Sequence, residues 1–138
     1  MASIRKEVHL SAGPGEVWDV VRDVGAVHTR FAPGFVVDVE MEEDARLVTF
    51  ANGLVAREVI VDIDEAGRRL AYSVRSERLS HHNASFQVFA ETGGCRLVWI
   101  ADVLPDAAAT AVGQMMDQGM IAARKALDAV TVAVSRPG

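Results

Sequence analysis

The chain has 138 residues, half of them hydrophobic, with a net charge of −5 and a pI of about 5.3. That length and apolar content fit one domain over residues 1–138 with a sizeable core, and the acidic balance argues against nucleic acid or an anionic membrane as the main partner. Its apolar runs fall far short of the roughly 18 residues that cross a bilayer, and one lone cysteine, Cys95, excludes an internal disulfide or a cysteine-based zinc site.

Ile4 to Leu10 alternates apolar and polar residues, the period of a half-buried strand. No charged-then-apolar leader precedes it, so a cytoplasmic location is expected. Pro14-Gly15-Glu16 then suits a first helical turn, where proline is tolerated and an acid meets the positive end of the dipole. Val17, Trp18, Val20, Val21 and Val24 follow at helical spacing, and Gly25 ends the run. His28 to Gly34 reads as a second short helical turn stopped by Pro33-Gly34.

Strand signals fill the middle of the chain: 35–42, 45–50, 54–64, 69–76, 84–91 and 95–103. Turns at Glu43-Asp44, Asn52-Gly53, Glu65-Ala66-Gly67 and Gly93-Gly94 separate most of them. Short connections of this kind predict an antiparallel meander, seven strands with the first included. From Leu104-Pro105-Asp106 to about Val134 the pattern is helical. Its apolar stripe is Ala108, Val112, Met115, Met116, Gly119, Met120, Ala123, Leu127, Val130 and Val134, and the basic residues Arg124, Lys125 and Arg136 fall late in the run.

Strand, helix, short helix, six strands and a long closing helix is the order of the helix-grip fold, an α+β arrangement in which a seven-stranded antiparallel sheet wraps a C-terminal helix. The motifs Pro14 to Val21, Glu58 to Tyr72, Arg78-Leu79 and Asp102 to Asp106 stand in the family's order. The chain thus resembles the START/polyketide cyclase-like (SRPBCC) superfamily, which includes lipid-transfer domains, aromatic polyketide cyclases, the birch-pollen allergen and plant abscisic-acid receptors. Bacterial relatives are described as polyketide cyclase/dehydrase-like or lipid-transport-like. Beside the receptors, Gly53-Leu54 falls at the gate and Arg78-Leu79 at the latch, but Glu77 replaces the latch histidine, so no hormone-style closure is expected. The resemblance implies a ligand between sheet and helix, with Glu58, His82, Ala84, Phe86, Val98, Ile100, Met116 and Met120 facing the cavity.

The fourth strand contains a conflict. Val55, Val59, Val61 and Ile63 share a face with Arg57, whereas Leu54, Ala56 and Ile60 share one with Glu58. Bare periodicity turns the Arg57 face inward and the resemblance turns the Glu58 face inward; only a bulge reconciles them. Glu58 is the candidate we carry forward, as a ligand contact or as a structural ion pair. His81-His82 is the only histidine pair, and neighbours on a strand point to opposite faces, so one looks inward and the two are poor ligands for one metal. His82 is read either as an acid/base or polar-ligand group or as a capped structural histidine. Gly119 costs about 1 kcal/mol in a helix interior relative to alanine, which points to close approach of a strand or a ligand.

No metal site, cofactor motif, catalytic triad or phosphate loop is present in the sequence. Three readings follow. The first is binding of a small hydrophobic or aromatic, lipid-like molecule. The second is a cyclase, aromatase or dehydratase in which Glu58 and His82 move protons. The third is a homodimer through Val59, Val61 and Ile63 on an exposed sheet face.

Overall fold

The computed structural model describes the backbone of residues 2–135 and the side chains of residues 2–129. The chain runs β1 (Ala2–Leu10), α1 (Pro14–Val21), a wide helical turn (Val27–Phe31), β2 (Val36–Met41), β3 (Ala45–Phe50), β4 (Val55–Asp64), β5 (Arg69–Arg75), β6 (His81–Glu91) and β7 (Gly94–Leu104). One tight turn, Asp106–Ala108, leads into α2 (Ala109–Ser135). The strands form a single antiparallel sheet in the order β1-β7-β6-β5-β4-β3-β2. Sequential hairpins therefore build the sheet, and β1 closes against β7.

This is the expected seven-stranded sheet with a long final helix, with local differences that have local causes. β6 begins at His81, earlier than expected, because its ladder with β7 continues to the pair His81–Leu104. α1 stops at Val21, where the chain tightens and the Asp23 N–H bonds to the Val20 carbonyl. Val130, Val134 and Arg136, assigned to the final stripe and its basic end, lie outside the described side chains.

β4 resolves its own conflict with a bulge. Glu58 pairs with Val74 and Ile60 with Tyr72, but the next pair is Asp62 with Ala71, so Val61 is the extra residue. Before the bulge, Glu58 and Ile60 face the same side as Tyr72; after it, Ile63 pairs with the buried Leu70. Both patterns visible in the sequence are thus real, each in its own part of the strand. Arg57 points away from the core, within 3.3 Å of Glu42 and 3.6 Å of Asp44. The same bulge breaks up the patch of Val59, Val61 and Ile63. Val61, 62% exposed, stays on the outer side with Ala71 and Val98, whereas Ile63 goes to the opposite face from Val59.

The inner face of β1, β7 and β6 carries Leu10, Val88, Cys95, Leu97, Ala101 and Val103, all buried against the helices. α2 contributes Met116, Met120, Ala123 and Leu127, the central part of its stripe. Full burial of a side chain such as Leu127 or Met116 stabilises the fold by about 1.5–3 kcal/mol. Lys6 also lies on this face at the sheet edge, where its ammonium meets Asp117 of α2 at 2.9 Å. α2 packs closely against β1 and the Val27–Phe31 turn. Over β4 and β5 the cover is incomplete: Ile60 and Val74, together with Phe35, Trp99 and Met115, are only partly buried.

Candidate functional site

The candidate site is the part of the inner face where Ile60, Val74, Trp99, Phe35 and Met115 are only partly buried. Its polar floor comes from two neighbouring strands. Arg46 on β3 pairs with Glu58 on β4, and the Arg46 Nε donates to Glu58 Oε1 at 2.8 Å. A second Arg46 nitrogen donates to the Val24 carbonyl at 3.0 Å, and its guanidinium carbon lies 5.5 Å from the Tyr72 ring centre. Glu58 is 8% exposed and Arg46 4%. Burial pushes the Glu58 carboxyl above its ordinary range, and the charge and hydrogen bond of Arg46 only partly oppose this.

An aromatic wall adjoins this pair. Phe86 stacks on Trp99 with ring centres 4.6 Å apart, touches Phe31 edge-on at 5.0 Å and lies 6.2 Å from Tyr72. Trp99 Nε1 donates to the Tyr72 hydroxyl at 3.0 Å. Burial, with Glu58 nearby, pushes the Tyr72 phenol far above its usual range, so it stays protonated. Gly119 of α2 is the point of closest approach. A Cβ there would lie 2.9 Å from Trp99 Cζ3 and 3.1 Å from Phe35 Cε2.

His82 reaches the same face from β6, opposite the buried Val103 of β7. Its Nδ1 is buried without a hydrogen-bond partner. Burial, and secondarily the neighbouring His81, lowers the imidazole below its ordinary range, so the ring is held neutral. The register sets Glu58 beside Val74 and His82 on the strand beyond, so the two are about two strand spacings, or about 10 Å, apart. They share the inner face without touching. A hollow of about 370 Å³ opens at this end between Val74 and Ser80.

Ala84, Phe86, Met116, Gly119 and Met120 also lie on the inner side, all of them buried. Val98 and Ile100 do not. Partners directly opposite across a ladder share a face, and the inner Phe86 and Ala84 pair with Trp99 and Ala101. Val98 and Ile100 pair with Gln87 and Ser85 and line the outer face, so the expectation that they face the cavity is corrected. There they border a hollow of about 560 Å³ with Ala71, Ser85 and Phe89. The residues outside the expected set are Arg46, Tyr72 and Trp99, with Phe35, Ile60 and Val74. Arg46 has the same parity as Val48 and Phe50, which marked it as inward-facing.

Comparison with known proteins agrees with this architecture. A family model described as polyketide cyclase / dehydrase and lipid transport matches residues 1–128. A solution structure from Thermobifida fusca shares 23% identity at a TM-score of 0.75, covering 100% of this chain and 98% of the other. The protein XoxI from Bacillus cereus superposes at a TM-score of 0.84 with 14% identity, covering 99% and 100%. Norcoclaurine synthase from Thalictrum flavum, solved with dopamine and hydroxybenzaldehyde, superposes at 0.72 with 15% identity, covering 99% and 89%. None of the curated proteins matches in sequence. No helix among the described residues is long and apolar enough to cross a membrane.

Proposed function

The chain belongs to the polyketide cyclase / dehydrase and lipid transport family, and from that premise we propose that it binds a small hydrophobic or aromatic molecule between the inner face of the sheet and α2. One observation carries this reading. Ile60, Val74, Phe35, Trp99 and Met115 pack on the core yet stay only partly buried, in a fold whose inner face also holds the buried Arg46–Glu58 pair. Apolar burial supplies the affinity of such a site, and a few fixed polar groups supply orientation. Met115 and Met116 suit a wall that adapts to the ligand, since methionine side chains repack at low cost. An acidic chain of this kind fits a cytoplasmic protein.

The test is native mass spectrometry of the protein purified from its own host under gentle conditions. A co-purifying apolar or aromatic molecule that Trp99→Ala releases supports the reading. Its retention by Trp99→Ala, or the absence of any added mass, counts against it.

A second reading is acid/base catalysis on the bound molecule. Glu58 favours it, as a buried carboxyl raised toward neutrality on the inner face. Norcoclaurine synthase, a structural neighbour that is an enzyme, makes the fold compatible with catalysis. Turnover of a poly-β-keto mimic that Glu58→Gln abolishes, with binding retained, would establish this reading. His82 serves it less well, since it lies about 10 Å from Glu58.

A further inference from the structure

We propose that the site selects ligands that carry a hydroxyl group, held between the Tyr72 O–H and the Glu58 carboxylate. This rests on the binding reading above and names the ligand feature that the site recognises. The Tyr72 oxygen already accepts the Trp99 N–H at 3.0 Å. Its own hydrogen therefore points elsewhere, and among the described residues no acceptor takes it. Glu58 holds Arg46 through Oε1 at 2.8 Å. Tyr72 and Glu58 sit on adjacent strands in a diagonal relation, since Ile60 is opposite Tyr72 and Val74 opposite Glu58. Diagonal neighbours lie about 7–8 Å apart between backbones, within reach of long side chains. Both also border the Arg46 guanidinium, which lies 5.5 Å from the Tyr72 ring centre.

A donor and an acceptor thus stand close together without bonding to each other. A hydroxyl accepts from the first and donates to the second through a single oxygen atom. An ether or ketone satisfies only Tyr72. A hydrocarbon satisfies neither and leaves both polar groups desolvated, which is where such sites discriminate most. The partly exposed Ile60, Val74 and Trp99 around them would contact the apolar body of the ligand.

The experiment is calorimetric titration of the wild-type protein with naphthol, its methyl ether and methylnaphthalene, three probes of similar shape. Naphthol is expected to bind about tenfold or more tightly than methylnaphthalene, with the ether between the two. Tyr72→Phe is expected to bring naphthol to within about threefold of the hydrocarbon while methylnaphthalene binding holds. Equal wild-type affinity for naphthol and methylnaphthalene overturns the inference and leaves the binding reading standing. So does a naphthol preference that Tyr72→Phe does not change. Binding of none of the probes overturns both. The wild-type series decides the matter even if the variant fails to fold.

Discussion

Gly119 and Trp99 are fitted to each other: the helix residue without a side chain lies where the indole edge approaches, and a Cβ would come within 2.9 Å of Cζ3. The indole cannot easily retreat, because it is stacked on Phe86 and hydrogen-bonded to Tyr72. Gly119→Ala gains about 1 kcal/mol of helix propensity but incurs overpacking of about 1–3 kcal/mol. A net loss of about 1 kcal/mol is expected in urea unfolding. Adding Trp99→Phe, which removes the clashing edge, should make the double variant more stable than the sum of the two single effects predicts.

The Arg46–Glu58 pair is buried on both sides. Removing one partner leaves an uncompensated charge inside the protein, so Arg46→Met and Glu58→Leu should each cost about 3–5 kcal/mol. The double replacement should recover most of that loss, because a buried ion pair does little better than a well-packed apolar pair. Denaturant unfolding of the three variants checks this. Additive losses in the double variant would mean that the two side chains act independently.

His82 makes stability depend on pH. Its imidazole is lowered from 6.5 by burial and by His81, so the unfolded chain takes up a proton more readily than the folded one. The contribution of a neutral His82 is full above about 6.5 and is lost as the pH falls through and below that value. Glu58, raised above 4.5, acts in the opposite sense, because its proton favours the folded state. The His82 contribution is isolated by comparing wild type with His82→Asn from about pH 5 to about pH 7.5, on either side of the ordinary imidazole value. The variant should lose less stability on acidification. An identical pH slope would show that the imidazole is not held neutral.

Glu65 ties α1 to the turn after β4. Trp18 Nε1 donates to one of its oxygens at 2.7 Å and Arg22 Nε to the other at 2.8 Å. These bonds, that from Trp18 first, hold the carboxyl below its ordinary 4.5. Trp18→Phe should therefore move the Glu65 titration upward in carboxyl-detected NMR. An unchanged midpoint would assign the shift to Arg22 alone.

The fold was legible because its strands are punctuated by Gly, Asn and acidic turns and followed by one long periodic helix. The orientation of β4 was legible only as a conflict, since a bulge leaves no mark in sequence beyond two competing alternations around Val61. β7 was harder. Its run from Leu97 to Ala101 is apolar at every position, so periodicity gives no face, and Val98 and Ile100 were turned the wrong way. Val98 is only 2% exposed even on the outer face, which explains why its composition misleads. Pairing of Phe86 with Trp99 would have fixed the register. Arg46 was passed over because an arginine in a strand is usually solvated, and its burial depends on Glu58 twelve residues later.

A small apolar molecule between the sheet and α2 would sit against Trp99, Ile60, Val74 and Met115. This placement is tested most directly by NMR titration of isotope-labelled protein with methylnaphthalene, following methyl and indole resonances. Shifts are expected at the Trp99 indole and the methyls of Ile60, Val74 and Met115, while those of Val98 and Ile100 on the opposite face stay in place. Shifts confined to Val98, Ile100 and their outer neighbours, or no shifts at all, would contradict it.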